Sequence, residues 1–408
     1  MENLVFKTNK DEIDRLCAMS NLRIRNYDLD FVRYLEVDAE DRFVSIRGAR
    51  GCGKTTFLHQ LIKLRHTLDA SVIYVNLDDV YFSHHRLIDF VEDFVLMGGK
   101  YLFLDEVHKY PGWSKELKTI YDNYSRLKIV FTSSSILEVY KGEADLSRRL
   151  VNYNMEGLSF REFLEFEHGL KFPKLSIAEI LKNHVEICND ITAKTKIIPA
   201  FRDYLSFGFY PYFKESKKKY HEKLVNTVKL ILEIDLPASI KKIEYENVFK
   251  LRKLLMYLAM NGPYKPDITK LSGQLEISRN STLLFLNYLE SAKMVNLLKN
   301  DKNNESIYTK PEKVLLHNTN LVHALGADIH NIGAIREIFF FNQLQVVAKV
   351  RHTPIGDFLI NDELYFEIGG RRKSFEQLKA SPNGYVAADD IEVGMGSKIP
   401  LWLFGFLY

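Results

Sequence analysis

Gly48-Ala49-Arg50-Gly51-Cys52-Gly53-Lys54-Thr55 spells a complete G-x-x-x-x-G-K-S/T loop, with Thr56 following. This spacing turns backbone N–H groups inward around phosphate oxygens, and a helix opening at its end adds its positive pole. These nine residues are the candidate nucleotide-binding set. Lys54 is expected to reach the β- and γ-phosphates of ATP, and the Thr55 hydroxyl to ligate Mg2+. A second group follows in Tyr101-Leu102-Phe103-Leu104-Asp105-Glu106, an apolar run that ends in two carboxylates. Asp105 is expected to hold the Mg2+ with Thr55, and Glu106 to polarise a water for attack on the γ-phosphate. Downstream, Thr132-Ser133-Ser134-Ser135 closes another apolar run. Ser134 there is a candidate for contact with the γ-phosphate or the attacking water, and a helix-capping turn is the alternative. Arg148 or Arg149 could supply transition-state charge, from within the chain or across a subunit interface; a surface ion pair is the competing reading.

Such groups work only if strands and helices hold them together. Phe43–Arg47 is short, β-branched and apolar, and residues 56–64 place apolar side chains at helical spacing, so strand, loop and helix occur in the required order. Candidate strands at Phe43–Ile46, Val72–Asn76, Tyr101–Leu104 and Ile129–Phe131 alternate with helical patterns, which predicts βαβ units and a parallel sheet. The expected fold class is α/β: a P-loop NTPase parallel-sheet core with a helical lid, a winged helix and a C-terminal α/β nuclease-like domain. The expected segments are 1–157, 158–244, 245–310 and 311–408.

With 408 residues, 46% of them hydrophobic and 27% charged, the chain has the composition of a soluble multidomain protein. A net charge of +3 neither requires nor excludes nucleic acid. Three scattered cysteines argue against a disulfide framework and for a reducing compartment. No basic-then-apolar leader and no run of about 20 apolar residues occurs, so a cytoplasmic location without membrane contact is expected.

Within 245–310, helices over Val248–Met260, Asp267–Leu275 and Ser281–Ser291, then a strand at Met294–Leu298, resemble a winged helix-turn-helix. Arg279, Asn280, Thr282 and Lys293 could contact DNA, yet Leu283, Leu284, Phe285, Leu286 and Leu289 make the last helix strongly apolar. DNA contact and a purely structural use both stay open.

Taken together, the loop, Leu104-Asp105-Glu106-Val107-His108, Ser147-Arg148-Arg149 and Leu158-Ser159-Phe160-Arg161-Glu162-Phe163 resemble a prokaryotic family of AAA-type ATPases that carry a C-terminal domain of unknown function. The resemblance covers nearly the whole chain. It aligns Arg149 with the family arginine, and it departs from the family at Ser133, where relatives often carry glycine. It implies an Mg2+-dependent ATPase. The last segment resembles a PD-(D/E)xK nuclease-like fold, with Glu337, Asp357 and Glu367 as the acidic trio and Gln377 following. Two residues after the last acid, where that fold's lysine is expected, stands Gly369. Arg371, Arg372, Lys373 or Lys379 could substitute, but the simpler reading is a degenerate, non-cleaving module. The alternatives are an ATP-regulated DNA nuclease and an ATP-switched DNA-binding or interaction protein. DNA, a protein partner and a second copy of the chain are the candidate partners.

Overall fold

The computed structural model describes residues 10–133, 146, 148–239, 245–299, 308–326, 331–379, 381 and 383–408. The chain divides into two compact units, Met1–Gly157 and Leu158–Tyr408.

The first unit is built on five strands: β1 Phe43–Arg47, β2 Val72–Asn76, β3 Tyr101–Asp105, β4 Lys128–Ser133 and β5 Val151–Asn154. They pair in parallel in the order β2-β3-β4-β1-β5. The helices are α1 Lys10–Arg25, α2 Lys54–Arg65, α3 Tyr81–His84, α4 Leu87–Leu96 and α5 Trp113–Asn123. Strand alternation sends Ile73, Val75, Leu102, Leu104 and Phe131 against Phe90 and Phe94 of α4 and Trp113 and Leu117 of α5. Val44, Ile46, Val72, Tyr74 and Phe103 face the other way, against Phe57, Leu58 and Leu61 of α2. Burying each large side chain contributes roughly 1.5–3 kcal/mol, so the two faces together lock the strands and fix where their C-terminal ends emerge. β5 is an edge strand with a V-N-Y-N sequence, and Val151 is 40% exposed.

The second unit opens with helices α6 Phe160–His168 and α7 Ile177–Thr192, each started by a capping box, Ser159 with Glu162 and Ser176 with Glu179. α8 Ile197–Phe207 and α9 Tyr220–Leu230 follow. Then come α10 Tyr245–Asn261, α11 Ile268–Leu275 and α12 Arg279–Ser291. An antiparallel hairpin of β6 Val295–Leu298 and β7 Lys313–Leu316 comes next, with Tyr264 bridging to Val314. After α13 Thr319–Ala324 and α14 Ile332–Leu344, a second sheet forms from β8 Val350–Arg351, β9 Phe358–Ile360, β10 Leu364–Gly369, β11 Gly384–Ala388 and β12 Lys398–Pro400. Its order is β12-β11-β10-β9-β8, parallel from β10 to β12 and antiparallel from β8 to β10. The segments expected as lid, winged helix and nuclease-like domain share this one compact unit. Rings of Phe160 on α6, Phe201 on α8, Phe339 on α14 and Phe406 near the C-terminus pack with centroids 4.7–5.9 Å apart.

Candidate functional site

The phosphate-type loop leaves the C-terminal end of β1 and enters α2. Gly48 is required by close approach: a Cβ there would run into the Met155 carbonyl oxygen and the Cys52 sulfur. Gly53 is required by conformation, because it takes φ 97° as the N-cap of α2 and offers no side chain to satisfy the first N–H groups. Lys54 is buried, and its Nζ donates to the Gly48 and Ala49 carbonyls at 2.9 Å each. Its ammonium therefore lies over the loop that is expected to hold phosphates. Ala49 and Cys52 are buried, Arg50 and Thr56 half-buried, and Thr55 exposed.

β3 delivers Asp105 to the same place. Its buried carboxylate accepts from the Thr55 hydroxyl at 2.6 Å, from the Tyr74 hydroxyl at 3.0 Å, from the Glu106 N–H at 3.2 Å and from the Thr132 hydroxyl. All four donors are neutral, so they orient the carboxylate without cancelling its charge. Burial and the charge of Asp105 push the Tyr74 phenol well up, which keeps it a donor. A hydroxyl and a carboxylate at this separation are the hard oxygen donors Mg2+ prefers. Mg2+ sites of this type use one or two protein ligands and take the rest from phosphate and water. Accordingly, Thr55 and Asp105 fit that ion, although no cluster of three or more His, Cys, Asp or Glu suited to a metal occurs among the described residues.

Glu106 follows in a left-handed conformation, φ 54°, uncommon for a side chain of its kind and a mark of a constrained site. Its N–H also donates to Thr132 at 3.1 Å, which holds the turn, and its Oε2 lies 3.5 Å from His108 Nε2. Burial, reinforced by Lys109, Lys54 and Arg50, pushes the His108 imidazole down to about 3. A neutral histidine thus stands beside Glu106.

Tyr74 and Arg33 are residues that motif reading missed, and His108, which closes the Leu104–His108 segment, was given no role there. Arg33, buried between α1 and β1, donates to the loop carbonyl of Cys52 at 2.8 Å. Tyr74 is placed by the sheet: β2 pairs in register with β3, so Asn76 stands level with Asp105 and Tyr74 is two residues back. From the β4 polar run the structure brings Thr132 to Asp105, while Ser134 lies outside the described residues. Arg149 sits just before β5, whose Val151 is level with Val44 in β1, hence at the opposite end of the strands from the loop. There it makes a two-pronged ion pair with Asp122 at 2.8 and 3.0 Å, and Arg148 beside it is exposed. Neither arginine reaches the loop of its own chain.

In the second unit, Glu337, Asp357, Glu367 and Gln377 do come together. Lys313 pairs with Glu337 and Lys373 with Glu367. Gln377, on a short 3-10 turn, has its side-chain amide against both Glu367 oxygens; with the amide turned so that its nitrogen faces the acid, it donates to them at 2.8 and 2.6 Å. Asp357 accepts from the Ile368 N–H at 2.8 Å. Burial raises the Glu337 and Glu367 carboxyls above the usual range, opposed by their lysines and reinforced by the charge of Asp357. A Cβ on Gly369 would lie 2.5–2.8 Å from the Lys373 side-chain carbons, so Lys373 fills the space beside that glycine. Of the residues considered for DNA contact, Arg279 and Asn280 are exposed, Lys293 is half-buried, and Thr282 is fully buried and donates to the Ser278 carbonyl.

Residues 40–164, which include the loop, Asp105 and Thr132, match the AAA domain family. That match lies within the first unit apart from its last seven residues. Residues 198–332 match a domain of unknown function, DUF8612. Two relatives come from Methanocaldococcus jannaschii. The uncharacterized protein MJ1637 is 24% identical over 419 residues, covering 91% of this chain and 87% of its own. The uncharacterized protein MJ1544 is 26% identical over 275 residues, covering 62% and 56%. Among solved structures, the Walker-type ATPase PABY2304 of Pyrococcus abyssi aligns over 79% of this chain and 99% of its own, at 10% identity and TM-score 0.39. No helix among the described residues is long and apolar enough to cross a membrane.

Proposed function

We propose that the chain binds Mg2+–ATP at residues 48–56 and hydrolyses it. The observation that carries this reading is the meeting of Thr55 and Asp105 at 2.6 Å beside the Lys54 ammonium. Lys54 turns from the loop carbonyls to β- and γ-phosphate oxygens, and the free N–H groups at the start of α2 take the rest of the phosphate charge. Thr55 and Asp105 would hold Mg2+, which would supply positive charge to offset that of the phosphates. Glu106 accepts the proton of the attacking water, oriented by its constrained backbone and neighbouring His108. The test is phosphate release by the full chain. Lys54→Ala is expected to lower turnover by about 100-fold or more, and Glu106→Gln to lower it similarly while nucleotide still binds. Normal turnover in both variants would sink the reading.

Arg149, with Arg148, is proposed to act on the site of a second copy, a reading favoured by its distance from its own loop. Arg149→Ala should then lower turnover only under conditions where the ATP-bound chain has a dimeric or larger mass. Ser134 remains a proposed γ-phosphate contact. The three helices and hairpin from 245 to 316 support a winged-helix reading, and the burial along α12 favours structural use over DNA contact. The C-terminal sheet is proposed as a degenerate nuclease-like module that responds to nucleotide state. One observation favours the rival nuclease reading, the reach of Lys373 to Glu367 past Gly369. Metal-dependent DNA cutting that disappears in Glu367→Ala would establish it.

A further inference from the structure

Arg33 lies in the irregular stretch between α1 and β1, yet it is only 7% exposed. Its Nη1 donates to the Cys52 carbonyl at 2.8 Å, and its Nη2 to the carbonyls of Glu156 at 2.9 Å and Gly157 at 3.2 Å. The backbone around it is pinned to α2: the Arg33 N–H donates to Gln60 at 3.3 Å, and Gln60 donates to the Phe31 carbonyl at 2.6 Å. The other end of the phosphate loop meets the same segment. Gly48 has no room for a Cβ against the Met155 carbonyl, and the Met155 N–H donates to Arg47 at 2.6 Å. Both ends of the loop therefore rest on residues 155–157, one by direct backbone contact and one through a guanidinium.

We infer that Arg33 is a positioning residue that ties phosphate binding at the loop to residues 155–157, through which the chain leaves the first unit. The inference rests on the ATP-binding reading above. A guanidinium is planar, permanently charged and rigid, so its prongs move together. Donation to the Cys52 carbonyl polarises the Cys52–Gly53 peptide and makes the Gly53 N–H a stronger donor toward phosphate. When that peptide shifts to meet a phosphate, the fork must carry the shift to Glu156 and Gly157 or break its bonds there.

The test is amide hydrogen exchange on the full chain with and without a non-hydrolysable ATP analogue and Mg2+. In the wild type the nucleotide should slow exchange at 48–56 and also at 155–158. Arg33→Lys keeps the charge but cannot span three carbonyls. It should retain the effect at 48–56 and lose it at 155–158. Arg33→Met should in addition weaken nucleotide affinity about tenfold with little change in kcat, since a charge-assisted bond supporting the loop is lost. Wild-type protection confined to 48–56, or a Lys variant that keeps the response at 155–158, overturns the inference. If the analogue protects nothing at 48–56, it is the ATP-binding reading that fails, and the coupling falls with it.

Discussion

Asp105 in the first unit and Glu367 in the second are both buried carboxylates on a strand inside a sheet, and their surroundings are opposite in kind. Asp105 is held by three hydroxyls and a backbone N–H. Glu367 is held by the Lys373 ammonium and the Gln377 amide, with a second lysine on neighbouring Glu337. Neutral donors fix the direction of a carboxylate and leave its charge for an incoming cation. Lysines cancel the charge inside the protein. A buried acid is therefore not by itself a metal ligand; what holds it decides whether it still has charge to offer.

Removing the charge at each place separates the two sites most strongly. Asp105→Asn should lower ATP turnover by about 100-fold or more, because the negative charge that would help hold Mg2+ is gone while the shape remains. Glu367→Gln should leave turnover within about twofold, as expected for a buried structural pair away from the nucleotide chemistry. Steady-state phosphate release measures both. Equal losses would erase the contrast.

Removing the cation tests the second site from the other side. Lys373→Met leaves a buried carboxylate without its partner. Breaking such a pair should cost about 1–3 kcal/mol, discounted because the lysine is 32% exposed. Mg2+ should then restore part of the lost thermal stability, and a second change, Glu367→Leu, should restore it without metal. A neutral Lys373→Met would mean that the lysine does not compensate the acid at all. A smaller effect is expected at the first site, where Tyr74→Phe removes one of three hydroxyls. The loss of a single hydrogen bond predicts about 1 kcal/mol of stability and a several-fold drop in turnover.

These differences explain what could be read from the chain. The loop, β1 to β4 and the Asp105–Glu106 pair are encoded by contiguous residues, so spacing alone exposes them. Arg33 and Tyr74 act through tertiary contacts across the sheet, and no local pattern marks them. β5 was hidden because an edge strand spelled V-N-Y-N lacks an apolar run. β11, with small residues in Gly384–Ala388, and the three-residue β12 were hidden for similar reasons. The grouping of Lys373 with Glu367 depends on the bend after Gly369, so spacing could name four cations but not choose among them. Thr282 was legible and misread. It stands three, four and seven residues before Phe285, Leu286 and Leu289, which puts it on the buried stripe of α12.

The subtlest test concerns His108, because a charged imidazole 3.5 Å from Glu106 would make the first site resemble the second. Burial, with Lys109, Lys54 and Arg50, holds that imidazole down to about 3, against about 6.5 for a histidine in an unfolded chain. As pH falls below about 6.5, the unfolded chain takes up a proton that the folded chain refuses. Stability from this residue is therefore full above that pH and lost progressively as pH falls toward 3. His108→Gln should remove that part of the acid sensitivity, a relative gain of about 1–2 kcal/mol at pH 5 and little change at pH 7.5, read from denaturant midpoints. Some sensitivity should persist, because burial also lowers His59. An unchanged pH slope in the variant would mean that His108 titrates normally beside Glu106. Glu106 would then stand beside a cation below neutral pH, and the division between a carboxylate kept free and a carboxylate already paired would narrow to Asp105 alone.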